Sequence, residues 1–219
     1  MNRSKALAIF RTLSGRYDDT PGPRHFIHFS SPFQALIGTM LSAQTTDRAV
    51  NGIVEDLFSA YPTPDALAGA PEGDLEDRIR SIGLYRTKAR NIRATARKLV
   101  EEFGGEVPQT MEELITLPGV GRKTANIVLS HAFGIDTGIA VDTHVARVSR
   151  RIGFTGEVSA DRIEQDLMAL FPAECWGDVN YVLIRHGRAI CRARKPQCPE
   201  CPVREACRFY RETFWPDSG

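Results

Sequence analysis

Four cysteines crowd into 17 residues late in the chain, Cys191-x6-Cys198-x2-Cys201-x5-Cys207, with Pro196, Pro199 and Pro202 threaded among them. Thiols at this density in one short loop are metal ligands, and the chemistry open to them is Zn(Cys)4 or an iron–sulfur cluster. The spacing departs from the ferredoxin patterns, so spacing alone leans towards zinc. The chain carries no secretory features, and in a reducing compartment disulfides do not persist. Cys175, beside Trp176, stands apart and reads as a buried packing residue.

A second chemical signal is "LPGVGRKTANIVL", residues 117–129, which sets Lys123 two residues behind a Gly-Val-Gly turn at the start of a helix. A helix start already concentrates positive potential, so a cation there is misplaced unless something negative or reactive meets it. An amine becomes nucleophilic when its pKa is depressed, and a helix N-terminus together with partial burial pushes in that direction. Gly119 and Gly121 leave backbone N–H groups open to close approach by an anion such as a phosphodiester. A nucleotide P-loop is excluded, because its glycines would fall where Leu117 and Arg122 stand. Further on, "GIAVDTHVARVSRRIGF" places Asp142 at the head of another helix. There it is a favoured N-cap, and its carboxylate would stay ionised to stabilise a cationic sugar or assist a nucleophile.

The elements that must carry these residues are helical. Phe33, Leu36, Ile37, Met40 and Leu41 share one face; Val50, Ile53, Val54, Leu57 and Phe58 share another; Ala89, Ile92, Ala96, Leu99 and Phe103 form a third stripe. No segment alternates with β-branched residues, so the fold class is all-α. "TMEEL" offers a capping box, Thr110 with Glu113, opening a short helix that "PGVG" ends. A second helix follows with Ala125, Val128, Leu129 and Ala132 inward and Gly134 as its stop, which makes residues 111–134 a helix–hairpin–helix.

With 219 residues the chain can build one large domain or two modest ones. No apolar run approaches the length of a membrane span and no signal peptide opens the chain, which points to a cytoplasmic protein with no membrane partner. Net charge is +1, yet the charges lie in blocks. Residues 49–77 hold seven acids and no Lys or Arg, whereas residues 78–98 hold eight Lys or Arg and no acid. Such blocks form either a face for a polyanion or ordinary solvated helix faces.

Taken in chain order, "LSAQTTD", "IGLYRTKA", "LPGVGRKTANIVL", "AVDTHVARV" and the four-cysteine loop resemble the endonuclease III family. These are bifunctional DNA glycosylases and abasic-site lyases of the helix–hairpin–helix superfamily. The resemblance implies a [4Fe–4S] cluster on Cys191, Cys198, Cys201 and Cys207, against the lean to zinc. It also implies two helical domains with the active site in the cleft between them. A six-helix barrel would span 25–136, and a discontinuous domain would join 1–24 to 137–219, with the cluster loop at 191–207. The implied partner is double-stranded DNA with damaged bases or abasic sites, bound by a monomer that associates with the nucleoid. Lys123 would attack the sugar of a flipped, oxidised pyrimidine with help from Asp142, form a Schiff base, and cleave 3′ to the lesion by β-elimination. Gln44 and Leu84 would enter the vacated stack. Gly119, Gly121, Arg122, His144, Arg147, Arg192, Arg194 and Lys195 would contact DNA. Adenine-mismatch relatives place serine at the lysine position and a glutamate where "LIGTML" has none; thymine-mismatch relatives typically place tyrosine at the lysine position. A non-catalytic DNA-binding module is the remaining alternative, and Lys123 with Asp142 argues against it.

Overall fold

A computed structural model describes residues 1–17 and 25–214. The described residues hold twelve α-helices, with short 3-10 and π-helical segments and loops between them, and no strand occurs among them. They are α1 (Arg3–Tyr17), α2 (Pro32–Leu41), α3 (Asp47–Ala60), α4 (Pro64–Ala68), α5 (Asp74–Ile79), α6 (Tyr85–Phe103), α7 (Met111–Leu114), α8 (Arg122–Val128), α9 (Thr143–Ile152), α10 (Ala160–Leu170), α11 (Trp176–Ala189) and α12 (Arg208–Phe214). The chain divides into two compact units, one from His25–Ile135 and one drawn from Met1–Arg24 and Asp136–Gly219. The first unit closes one residue before the expected position 136.

In the His25–Ile135 unit, α2, α3 and α6 bury the stripes read from their periodicity. Leu36, Ile37, Leu57, Ile92 and Leu99 are fully enclosed, and Leu75, Ile79, Leu114 and Val128 complete the same core. Helix starts follow side-chain chemistry: Ser31, Thr46 and Thr63 each accept an N–H from the first turn of the helix they open. The charge blocks partly satisfy one another inside this unit. Arg78 pairs with Asp56 and with Asp74 at 2.7 Å each, and Arg93 reaches Glu76 at 3.4 Å. Tyr61 donates a short hydrogen bond to Asp74, which with Arg78 holds that carboxyl below the usual range. The acidic stretch is therefore partly a counter-charge for the basic one.

The other unit is built on α1, α9, α10 and α11. Leu13, Val145, Val148, Leu167 and Leu183 form its interior. Phe171 bridges α1 and the α9 end, its ring 5.6 Å from Phe10 and 5.3 Å from Phe154. A Cβ on Gly187 would lie 3.1 Å from the side chains of His144 and Arg147, so a larger residue would push them back by a few tenths of an ångström where α11 meets α9.

Candidate active site

The hairpin is positioned by α6. Thr95, fully buried, donates from its hydroxyl to the Pro118 carbonyl at 2.8 Å, and Lys98 Nζ donates to the Thr116 carbonyl at 3.2 Å. Gly119 takes φ +78°, and a Cβ there would strike Asn91 at 2.7 Å, so both conformation and space demand glycine. Gly121 works differently from Gly119. Its φ of −102° suits any residue, and its contribution is open space, since no atom lies within 4 Å of where a Cβ would be. It is the N-cap of α8 without a side-chain cap, which leaves the first amides of that helix free of one. The Thr110 hydroxyl caps α7 as read, but Glu113 returns to that hydroxyl (2.6 Å). The box is thus closed between side chains.

Lys123 stands second in α8 and is exposed, as are Arg122 and Gly121. The partial burial expected for the lysine is absent; what sets it apart is its place over uncapped amides. Asp142 caps α9 as expected. Its Oδ1 accepts from the His144 and Val145 amides at 2.8 and 2.7 Å, leaving Oδ2 outside the cap. The Asn180 side chain, buried on α11, donates to the Ala140 carbonyl at 2.6 Å and fixes the approach to Asp142. Lys123 belongs to the His25–Ile135 unit and Asp142 to the other.

Gln44 and Leu84 occupy neighbouring turns of one unit. Both are exposed, Leu84 to 60%, and both hold left-handed backbone angles, φ 53° and 58°. Lys195 (φ 50°) is the other non-glycine residue in that region among the described residues. L-residues adopt it at a cost of about 1–3 kcal/mol, and such residues cluster at functional sites.

The cysteine loop is held from α9. Arg151 donates to the carbonyls of Arg192 (2.7 Å) and Ala193 (3.1 Å), and its guanidinium lies 3.6 Å from Cys191 Sγ. Arg147 bonds the carbonyls of Cys191 (3.0 Å) and Gly187 (2.9 Å), and lies 3.1 Å from His144 Nδ1. Arg147, expected on DNA, has a guanidinium that ties α9, α11 and the loop together. His144 is half-buried beside it, its pKa lowered first by burial. Arg192, Arg194 and Lys195 are exposed on the loop. Sequence reading missed Arg151, whose only signal was its four-residue spacing from Arg147 on a helix with one apolar face. It also missed His186, 1% exposed, whose ring links the Tyr17 hydroxyl (3.1 Å) to Cys201 Sγ (3.5 Å).

All four thiols line one cavity with His186, Ile190 and Phe209. Burial raises the pKa of Cys198, Cys207 and Cys201, the last to about 11, and the neighbouring cysteines add to the effect. As thiolates they would require a cationic group at their centre. Among the described residues no three Cys, His, Asp or Glu converge as the ligands of a single ion would.

The profile of the HhH-GPD superfamily of base excision DNA repair proteins matches residues 37–173. The chain belongs to that superfamily. The match takes in the hairpin, Lys123 and Asp142, and ends before the cysteine loop. The chain is 51% identical to endonuclease III of Synechocystis sp. over 205 residues, 94% of this chain and 92% of the relative. A trapped endonuclease III–DNA covalent intermediate superposes with a TM-score of 0.90 at 42% identity, covering 97% of this chain and 98% of that one. A thermostable thymine-DNA glycosylase superposes at 0.84 with 25% identity, covering 95% and 97%. The superfamily's all-helical fold therefore serves more than one glycosylase, and side chains must select the chemistry.

Proposed function

We propose that Lys123 is the nucleophile of a bifunctional reaction on damaged DNA. The chain is a base-excision repair enzyme, a DNA glycosylase and abasic-site lyase that works on duplex DNA. A target base must leave the stack before its sugar can be reached. The unprotonated Lys123 amine then bonds to C1′ as the C1′–N bond breaks, and the base departs with the electron pair. Asp142 Oδ2, outside the cap, stabilises the positive charge that develops on the sugar. Transfer of one amine proton to the ring oxygen O4′ breaks the C1′–O4′ bond, which opens the ring and gives the protonated Schiff base. Removal of a 2′ proton then expels the 3′ phosphate by β-elimination. The reading needs Asp142 and Lys123 at one sugar. Oxidised pyrimidines are the substrates proposed.

The observation that carries this reading is an exposed lysine over uncapped helix amides, behind a glycine turn with open space at Gly121. The thymine-DNA glycosylase shares the fold, so Lys123 makes the distinction. The four thiols, set around a common cavity and not converging on a point, suit a polynuclear group, and we assign them a [4Fe–4S] cluster. When bound, that cluster supplies charge and shape to the loop that presents Arg192, Arg194 and Lys195 to phosphates.

Borohydride reduction tests the nucleophile. The protein should be trapped covalently on a duplex carrying an abasic site, while Lys123→Gln should give no adduct and still bind that duplex. A full adduct yield from Lys123→Gln would place the nucleophile elsewhere.

A further inference from the structure

Lys88 is 6% exposed, and no step of the reaction above uses it. It sits in the first turn of α6, where a buried ammonium is doubly unfavourable: desolvation and the positive helix end both oppose its charge. Burial indeed lowers its pKa. A straight-chain apolar residue would fill the same space without that penalty, so the amine has a task.

Its partners show which. Nζ donates to the Leu41 carbonyl at the last turn of α2 (2.8 Å) and to the Thr45 hydroxyl (2.5 Å). The Thr45 hydroxyl in turn donates a hydrogen bond to the Ala43 carbonyl at 3.3 Å. Ala43 and Thr45 are the two neighbours of Gln44 in the chain, so the ammonium holds one side of a residue kept at φ 53° directly and the other through the Thr45 hydroxyl. The backbone of the same lysine completes the link. Its N–H donates to the carbonyl of Leu84, the other strained residue of this unit, at 3.0 Å. The turns touch there as well, with Gly83 placing a Cβ position 3.9 Å from the Gln44 carbonyl.

We infer that Lys88 is a positioning residue that locks the Gln44 and Leu84 turns together, so that both side chains are already in place to enter the vacated stack. The inference rests on the assignment of Gln44 and Leu84 to that stack. A preformed wedge loses little conformational entropy when it enters the duplex. Lys88 acts through the turns and touches no DNA, which separates it from the exposed basic residues around it.

The test uses a duplex with an abasic site opposite 2-aminopurine, whose fluorescence rises when the orphaned base is unstacked. Wild type should raise the signal and Gln44→Ala should not. Lys88→Met should lose the signal and bind the abasic duplex about ten-fold more weakly, the cost of losing a hydrogen bond to a charged group. Its affinity for undamaged duplex and the salt dependence of that affinity should be unchanged. Thr45→Val removes the same bond without touching the lysine, and should reproduce the loss if Lys88→Met folds poorly. Wild-type fluorescence from both variants beside a lost signal in Gln44→Ala overturns the brace alone. A flatter salt dependence in Lys88→Met overturns it too, by making Lys88 a phosphate contact. Full signal from Gln44→Ala overturns the reading of the turns and the brace with it.

Discussion

Asp142 illustrates how one side chain can serve stability and chemistry through different oxygens. Oδ1 accepts from the His144 and Val145 amides in the first turn of α9, which leaves Oδ2 outside the cap for the proposed contact with the sugar. Asn caps a helix about as well as Asp, whereas Ala costs about 1 kcal/mol at this position. Asp142→Asn should therefore melt near wild type and lose most glycosylase activity, and Asp142→Ala should lose both. Thermal melts with single-turnover base release decide it; an active Asn variant would leave Asp142 as a cap only. The three strained residues carry a second lesson. Gln44, Leu84 and Lys195 were each assigned to DNA on resemblance, and nothing in their local sequence announced left-handed backbone. Gln, Leu and Lys are poor residues for that region, so pattern reading would never place them there.

At the scale of elements, the longer helices were legible because they bury stripes with a 3.6-residue period, and α2, α3, α4, α7, α9 and α10 start on Ser, Thr or Asp. The hairpin was legible because Gly119 cannot be anything else. What escaped were ties with no local period. Lys88 to Leu41, Arg151 to Arg192 and Asn180 to Ala140 span 47, 41 and 40 residues, and no short window contains both ends. The cysteine loop shows the reverse case, with spacing that reveals ligands but not the metal. Purified protein should be yellow-brown and hold iron, and Cys198→Ser should lower the yield of folded protein more than the chemistry of what folds. Colourless, zinc-loaded, fully active protein would reverse the assignment. The loop's geometry depends equally on Arg147 and Arg151, which support it from α9.

For the molecule as a whole, net charge hides a division of labour. Arg78 and Arg93 answer acids within their own unit, while Arg192, Arg194 and Lys195 project from the cysteine loop. Each phosphate neutralised contributes about 0.9 to the slope of log affinity against log salt. Arg192→Ala, Arg194→Ala and Lys195→Ala should each weaken binding to damaged and undamaged duplex alike, and flatten that slope by up to about 0.9. Arg78→Ala should leave the slope alone. Binding titrations across salt concentrations read this out directly; loop variants that lose lesion selectivity at constant slope would make the loop a reader of damage. No helix among the described residues is long and apolar enough to cross a membrane.

The interrupted unit also sets an order of events at the ribosome. Helix α1 is made before the rest of its unit, and its partners lie far along the chain: Arg3 donates to the Ala169 carbonyl at 2.6 Å, 166 residues away. At about 5–20 residues per second, Arg3 is made roughly 8–33 s before that carbonyl exists. Its apolar face of Ile9, Phe10 and Leu13 spends that interval without its native cover. The His25–Ile135 unit, contiguous in sequence, can close meanwhile. The nascent chain thus carries a finished half tethered to an unpaired amphipathic helix, a natural client for a chaperone that masks short apolar segments. The cysteine loop follows both units' main helices in the chain, so its thiols come together only after those helices are made.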